Sequence, residues 1–154
     1  MKLIPILAID ALAIPCYAMA QNKAEVFSGK DIVSQVEALV QTAKTSGSSG
    51  ATLGDYKSHA IKLSVRTASG GAEVHAHYDD IFVVTQGKAT LVTGGTVVNP
   101  KAGSDGETKG SSIQSGNSQT IAKEGIVHIP AGTPHQLIIA PGDVFSAIVV
   151  KIKE

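Results

Sequence analysis

Two histidines separated by one residue, His75 and His77, are followed closely by two acids, Asp79 and Asp80. A third histidine, His135, ends the downstream segment PAGTPH. If His75 and His77 lie on one extended strand, their side chains project from the same face, about 7 Å apart at roughly 3.3 Å rise per residue. Neutral imidazoles with one carboxylate suit Mn, Fe, Co, Ni, Cu or Zn rather than Ca or Mg. The spacing therefore predicts a site for one divalent transition metal ion.

The first 20 of the 154 residues are expected to be removed from a single folded domain. Residues 1–20 contain Lys2, then a largely apolar stretch that ends in Ala18-Met19-Ala20, the small-x-small form of a signal-peptidase site. We therefore predict a signal peptide and export to the periplasm or outside the cell. Asp10 and the short apolar length argue against a membrane anchor. Cys16 is the only cysteine, so cleavage would leave a chain that forms no disulfide.

The charge balance bears on the class of partner. The 13 basic side chains equal the 13 acidic ones in number, and the chain has no basic run. Nucleic acid is therefore not expected as a partner, and no membrane contact is expected once the signal peptide is removed. A small-molecule ligand or substrate is the partner that the histidine pattern favours.

Residues 21–50 are predicted to form an N-terminal segment with one amphipathic helix. Ser28 is a candidate N-cap, Lys44 lies near the expected end and Gly47 follows it. The apolar residues in between recur at helical spacing: Ile32, Val33, Val36, Leu39, Val40 and Ala43. We expect this apolar face to pack against a sheet, and binding of a partner is the less favoured alternative.

Residues 51–154 are predicted to be a β-domain, because short β-prone segments alternate with Gly-rich turns. In residues 61–66 apolar and polar side chains alternate. The apolar set is expected to face the interior, which would place Arg66 on the solvent side. Residues 99–112 are rich in Gly, Ser, Lys and Asp and are predicted to form a long exposed loop.

This part of the chain resembles the cupin superfamily, which is recognised by two motifs. The first family motif is Gly, five residues, His-x-His, three or four residues, Glu, six residues, Gly. His75, His77 and Gly87 match it, and Asp80 stands at the glutamate position when six residues are counted back from Gly87. The chain departs from the pattern because Asp replaces Glu, because two residues rather than three separate this acid from His77, and because Gly70 is one residue too close to His75.

The second family motif is Gly, five residues, Pro-x-Gly, two residues, His, three residues, Asn. Pro130, Gly132 and His135 match it, while Glu124 stands at the glycine position and Ile139 at the asparagine position. The resemblance covers about residues 55–150. It implies an all-β fold, a cupin jelly-roll β-barrel with an N-terminal amphipathic helix.

The resemblance also implies the metal ligands, which are His75, His77, Asp80 and His135. Asp79 is the alternative acid, because it has the strand parity of the two histidines unless a bulge intervenes. A site with three histidines and no carboxylate is a further alternative. The expected cofactor is one divalent transition metal ion (Mn, Fe, Zn, Ni, Co or Cu).

The function implied is that of a metal-binding single-domain cupin. One hypothesis is a small-molecule metalloenzyme of the dioxygenase, isomerase or lyase type, with the ion held in the barrel. The alternatives are a non-catalytic metal or small-ligand binding protein and a structural cupin with a vestigial site, so the pattern leaves open whether catalysis occurs. By analogy with cupins, the apolar strand at residues 144–150 suggests a homodimer.

Overall fold

The computed structural model describes residues 23–154, so the predicted signal peptide at residues 1–20, with Cys16, lies outside the described residues. Within the described range one helix is followed by thirteen strands. Their bounds are α1 Gly29–Ser46, β1 Ser48–Asp55, β2 His59–Arg66, β3 Ala72–His75, β4 Tyr78–Gln86, β5 Lys88–Thr93, β6 Thr96–Val98, β7 Lys101–Ala102, β8 Glu107–Gly110, β9 Ser112–Gln114, β10 Asn117–Ala122, β11 Ile126–Ile129, β12 His135–Ile138 and β13 Phe145–Lys153.

The predicted helix is confirmed as α1, and its ends have the expected caps. The Ser28 hydroxyl accepts a hydrogen bond from the backbone N–H of Asp31 at 3.2 Å, which satisfies one free N–H of the first turn. Gly47 ends the helix with φ 81°, and its N–H donates to the Ala43 carbonyl at 2.7 Å. In the described part of the chain, no helix is long and apolar enough to cross a membrane.

The strands form two large antiparallel sheets. The five-stranded sheet has the order β1-β2-β13-β4-β11, the six-stranded sheet has the order β10-β5-β12-β3-β8-β7, and β6 pairs with β9 separately. This jelly-roll arrangement with one N-terminal helix confirms the predicted fold class. The expected barrel is not closed, because within residues 23–154 each large sheet keeps two edge strands instead of hydrogen-bonding to the other.

Apolar side chains fill part of the space between the sheets. The alternation along β4 turns Asp80, Phe82 and Val84 inward, and their neighbours Asp79, Ile81 and Val83 are less buried. The buried cluster comprises Phe82, Val84, Ala89, Leu91, Ile121, Ile129, Leu137, Ile139, Phe145, Ala147 and Val149. This cluster supports one end of the interior, and the polar groups described below occupy the other.

The prediction that the apolar side chains of β2 face the interior is wrong. Leu63 and Val65 are 2% and 0% exposed, but they pack with Val36 and Ala43 of α1 on the outer face of the sheet. The polar side chains of β2 therefore face the interior and line a cavity there. The physical reason is that α1 supplies a second apolar environment outside the sheet, so apolar parity does not identify the inner face.

The predicted loop at residues 99–112 is also wrong. It contains β7 and β8 and the start of β9, and β8 pairs with β3 so that Glu107 lies opposite His75. Gly106 makes the turn before β8 with φ 72°, a conformation that glycine adopts without strain. This short antiparallel element brings an acidic side chain to the histidine that the motif had identified.

Candidate metal centre

His75, Asp80 and His135 come from three different strands and line one cavity of about 500 Å³. His75 ends β3, Asp80 lies on the inner face of β4 and His135 begins β12. All three side chains are buried, and the two imidazole centroids are 5.0 Å apart. The structure thus brings together three of the four residues predicted as ligands.

Hydrogen bonds fix the orientation of both imidazole rings. The carboxylate of Glu107 accepts from Nδ1 of His75, which lies 2.7 Å from each of its oxygens. Nδ1 of His135 donates to the Thr133 carbonyl at 3.0 Å. Because Nδ1 is engaged in both rings, Nε2 of each faces the cavity and its carboxylates, and Nε2 is the nitrogen that could bind an ion.

Two carboxylates lie against these nitrogens. Asp80 Oδ2 is 3.3 Å from His75 Nε2 and 3.8 Å from His135 Nε2. Glu73 Oε2 is 3.9 Å from His75 Nε2, and Glu73, His75 and His135 each offer one donor atom within 4.8 Å of the others. Glu73 was missed from the sequence, although it precedes His75 by two residues and so shares its strand face.

Lys151 competes for one of these carboxylates. Its Nζ lies 2.9 Å from Asp80 Oδ1, on the side away from the histidines. Lys151 and Asp80 are cross-strand neighbours on β13 and β4, which explains why the pair forms. Only Oδ2 of Asp80 therefore remains available to an ion, whereas Glu73 makes no such pair with a lysine within residues 23–154.

The pKa values of the buried groups move in opposite directions. Burial lowers the pKa of His75, but the hydrogen bond to Asp80 and the charges of Asp80 and Glu107 outweigh it and raise the pKa overall. Burial dominates at His135 and lowers its pKa. For Asp80, burial raises the pKa, but the His75 hydrogen bond and the Lys151 charge hold it below its usual value.

His77 lies outside this cluster. Strand β3 ends at His75, and Ala76 with His77 forms the turn into β4, where the His77 side chain is exposed. The alternation that would have turned His77 to the face of His75 is therefore interrupted. Its imidazole lies beside Gly106 at the β7–β8 turn, so the expected strand geometry of the His-x-His pair is not found.

Asp79, the alternative acid, also points away from the cavity. Its Oδ1 accepts the backbone N–H of Ala131 at 2.7 Å, and its Oδ2 lies 2.8 Å from His128 Nε2. The hydrogen bond to His128, followed by the one to Ala131, lowers the pKa of Asp79. Asp79 thus ties β4 to the Pro130–Gly132 turn that precedes His135, and it supports the site from outside.

The donors fit a divalent transition metal. Bonds of about 2.0–2.2 Å to nitrogen and oxygen place neighbouring donors of such an ion roughly 3 Å apart or slightly more. The separations of 3.3, 3.8 and 3.9 Å between the carboxylate oxygens and the two Nε2 atoms approach this value. Two imidazoles with Glu73 or Asp80 therefore offer a compatible set, and small side-chain rotations would complete it.

The comparisons with known proteins identify the fold. No family model matches the chain, and no curated protein matches it. Among solved structures it is similar to the Schizosaccharomyces pombe Cnp3 cupin domain, with 13% identity and a TM-score of 0.52 over 70% of this chain and 65% of that chain. It is also similar to the DMSP lyase DddQ from Ruegeria pomeroyi DSS-3, with 15% identity and a TM-score of 0.52 over 71% of this chain and 49% of that one.

A third similar structure is the polyketide cyclase RemF from Streptomyces resistomycificus, with 16% identity and a TM-score of 0.51. The match covers 70% of this chain and 66% of RemF. The matched regions therefore span about half to two thirds of these three chains. At such low identity the likeness concerns the fold, and the site must be argued from its own residues.

Proposed function

We propose that this chain, which has a cupin fold, binds one divalent transition metal ion and presents it to a small molecule in the cavity between its sheets. His75 and His135 would bind the ion through Nε2, and Glu73 or Asp80 would supply the carboxylate. The observation that carries the proposal is the pair of engaged Nδ1 atoms, which leaves both Nε2 atoms facing the same carboxylates.

The proposed activity is that of a small metalloenzyme of the dioxygenase, isomerase or lyase type. A metal bound there would act as a Lewis acid toward an oxygen of the small molecule. The chain's own groups would orient that molecule and move protons beside it. Lys151 and Glu107 line the same cavity as the proposed ligands, so titratable groups stand within reach of a bound molecule.

Non-catalytic binding of a metal or small ligand is the second candidate. The observation that favours it is the contact between Lys151 Nζ and Asp80 Oδ1 at 2.9 Å, because this ion pair engages one of the two groups proposed to move protons. Turnover of a small-molecule panel by the metal-loaded chain separates the two candidates.

Export and a homodimer remain part of the proposal, although β13, which contains most of residues 144–150, pairs along both edges with β2 and β4.

The test is the metal content of the purified chain without a histidine tag, measured by elemental mass spectrometry after reconstitution. We expect near-stoichiometric metal in the wild type and a loss of at least tenfold in His135→Ala. His77→Ala is the matched control, because it removes an exposed imidazole from the same motif and should retain the metal. A wild type that takes up no metal, or a loss in His77→Ala alone, would contradict the proposal.

A further inference from the structure

Strand β2 presents a cationic face to the cavity. Lys62, Ser64 and Arg66 line it, since Leu63 and Val65 are held on the opposite face by α1. Arg66 extends beside Gly70, and its Nε is buried without a hydrogen-bond partner among the described residues. A buried guanidinium N–H without a partner is costly, and Arg66 adds positive charge to this face of the cavity.

The charges in the cavity are unevenly distributed. Four cationic side chains line it (Lys62, Arg66, Lys109 and Lys151), together with three acidic ones (Glu73, Asp80 and Glu107). All three acids lie within 4 Å of a His75 ring nitrogen, at the metal end. Among the ion pairs of residues 23–154, none includes Lys62, Arg66 or Lys109.

A bound metal ion would sharpen this imbalance. Glu73 or Asp80 would then be neutralised by the ion, and Lys62 and Arg66 would line the cavity without a counter-charge. Like charges that share a half-buried cavity repel, and an anionic ligand relieves that repulsion. The cavity of about 500 Å³ is large enough for a small organic molecule.

We propose that the cavity binds a short-chain dicarboxylate, with one carboxylate at the metal and the other at Lys62. The metal end of this inference rests on the proposed function. A carboxylate suits this end because lysine binds it as a point charge. Lys109 is exposed at the cavity mouth and would guide the anion inward.

Strand register gives the approximate length of the ligand. Asp80 pairs with Lys151, and Lys151 pairs with Ala60 on β2, so these three residues form one row across the sheet. Lys62 lies two residues beyond Ala60, about 7 Å along the strand, and Ala60 lies two strands from Asp80, about 10 Å across the sheet. The Cα atoms of Asp80 and Lys62 are therefore roughly 12 Å apart, and both side chains reach into the cavity from the two ends of this span. Arg66 lies roughly 13 Å beyond Lys62, and it turns toward Gly70. A chain such as succinate or glutarate therefore suits the span to Lys62.

The experiment measures the binding of glutarate to the metal-loaded chain by isothermal titration calorimetry. Glutaramide, the uncharged analogue, and inorganic phosphate are the comparison ligands. We expect Lys62→Met to weaken glutarate binding about ten- to hundred-fold, the range for a hydrogen bond to a charged group. Lys153→Met is the matched control, because it removes the same charge from an exposed position on β13. Lys62→Gln tests the same charge if the methionine variant misfolds.

Metal content measured on the same samples keeps the two proposals separate. Metal retained in Lys62→Met together with weakened glutarate binding would support the dicarboxylate site. Metal bound but glutarate no better than glutaramide, or equal losses in Lys62→Met and Lys153→Met, would overturn it and leave the metal proposal standing. Phosphate bound as tightly as glutarate would also overturn it. Glutarate binding that is as tight in the metal-free chain as in the metal-loaded chain would overturn the placement of one carboxylate at the metal, whereas the metal proposal is decided by the metal content.

Discussion

Glu107 provides a sharp test of how the candidate metal centre is organised. Its carboxylate lies 2.7 Å from Nδ1 of His75 through both oxygens, and it reaches that position because β8 pairs with β3. Replacing it by alanine removes the acceptor of the Nδ1 proton, so the ring is no longer held with Nε2 toward the proposed metal position. We expect Glu107→Ala to weaken metal binding while the proposed ligands stay in place.

The magnitude follows from the type of contact. Hydrogen bonds to charged groups contribute about 1.5–3 kcal/mol, and loss of a carboxylate behind a ligating histidine typically costs 10–100-fold in metal affinity. Glu107→Ala should therefore raise the Kd for the metal by about one to two orders of magnitude. Glu107→Gln keeps an acceptor and loses only the charge, so a smaller increase of roughly fivefold is expected, equivalent to about 1 kcal/mol.

The assay is a competition titration of Zn²⁺ or Co²⁺ against a chromophoric chelator. Asp105→Asn is the control, because Asp105 lies in the same β7–β8 turn but accepts from the Tyr78 hydroxyl at 2.7 Å and does not contact His75. The argument fails if folded Glu107→Ala binds metal within about twofold of the wild type, or if Asp105→Asn loses as much. Either result would mean that Glu107 does not orient His75 for binding.

Three further outcomes are expected. Gly87→Ala should lower the free energy of unfolding by about 3–5 kcal/mol in chemical denaturation, because φ is 71° and an added Cβ would overlap the Val144 carbonyl oxygen. Gly132→Ala is the control and should lose only about 1–2 kcal/mol, because its φ is 74° but the space around it is open. Equal losses in the two variants would count against this reasoning. Leu63→Ala should lose about 2–5 kcal/mol with an unchanged metal Kd, whereas a changed Kd would show that the α1 side and the cavity are coupled. Metal at one hundred times its Kd should add about 2.7 kcal/mol, seen as a rise in Tm that a chelator reverses; no rise would argue that the folded chain does not bind the ion.

The sequence predicts the local features of this fold well, because their causes are local. The caps of α1 at Ser28 and Gly47 follow from side-chain chemistry and from the freedom of glycine. The position of Asp80 was predicted from its spacing to Gly87 in the first motif, and the turn at Pro130 and Gly132 positions His135 as the second motif implies. In each case the residues that decide the outcome lie within a few positions of each other.

The predictions from the sequence are wrong where the position of a side chain depends on distant parts of the chain. The strand that carries His75 ends there, so the two-residue spacing to His77 does not keep the two side chains on one face. The inner face of β2 was assigned by apolarity, but α1 attracts Leu63 to the outer face. Glu107 was hidden in a segment whose composition resembles a loop, and only its pairing with β3 reveals it.

The two faces of β2 have consequences for how this protein can change. Leu63 packs against α1 on one side, while Lys62 and Arg66 line the cavity on the other. A substitution on the inner face would therefore change the charges that line the cavity without removing apolar contacts from the core, because Leu63 and its contacts with α1 stay in place. Substitutions on the two faces of this strand could therefore change stability and the proposed ligand specificity independently. A change of one or two charges on the inner face would be enough to suit a different ligand.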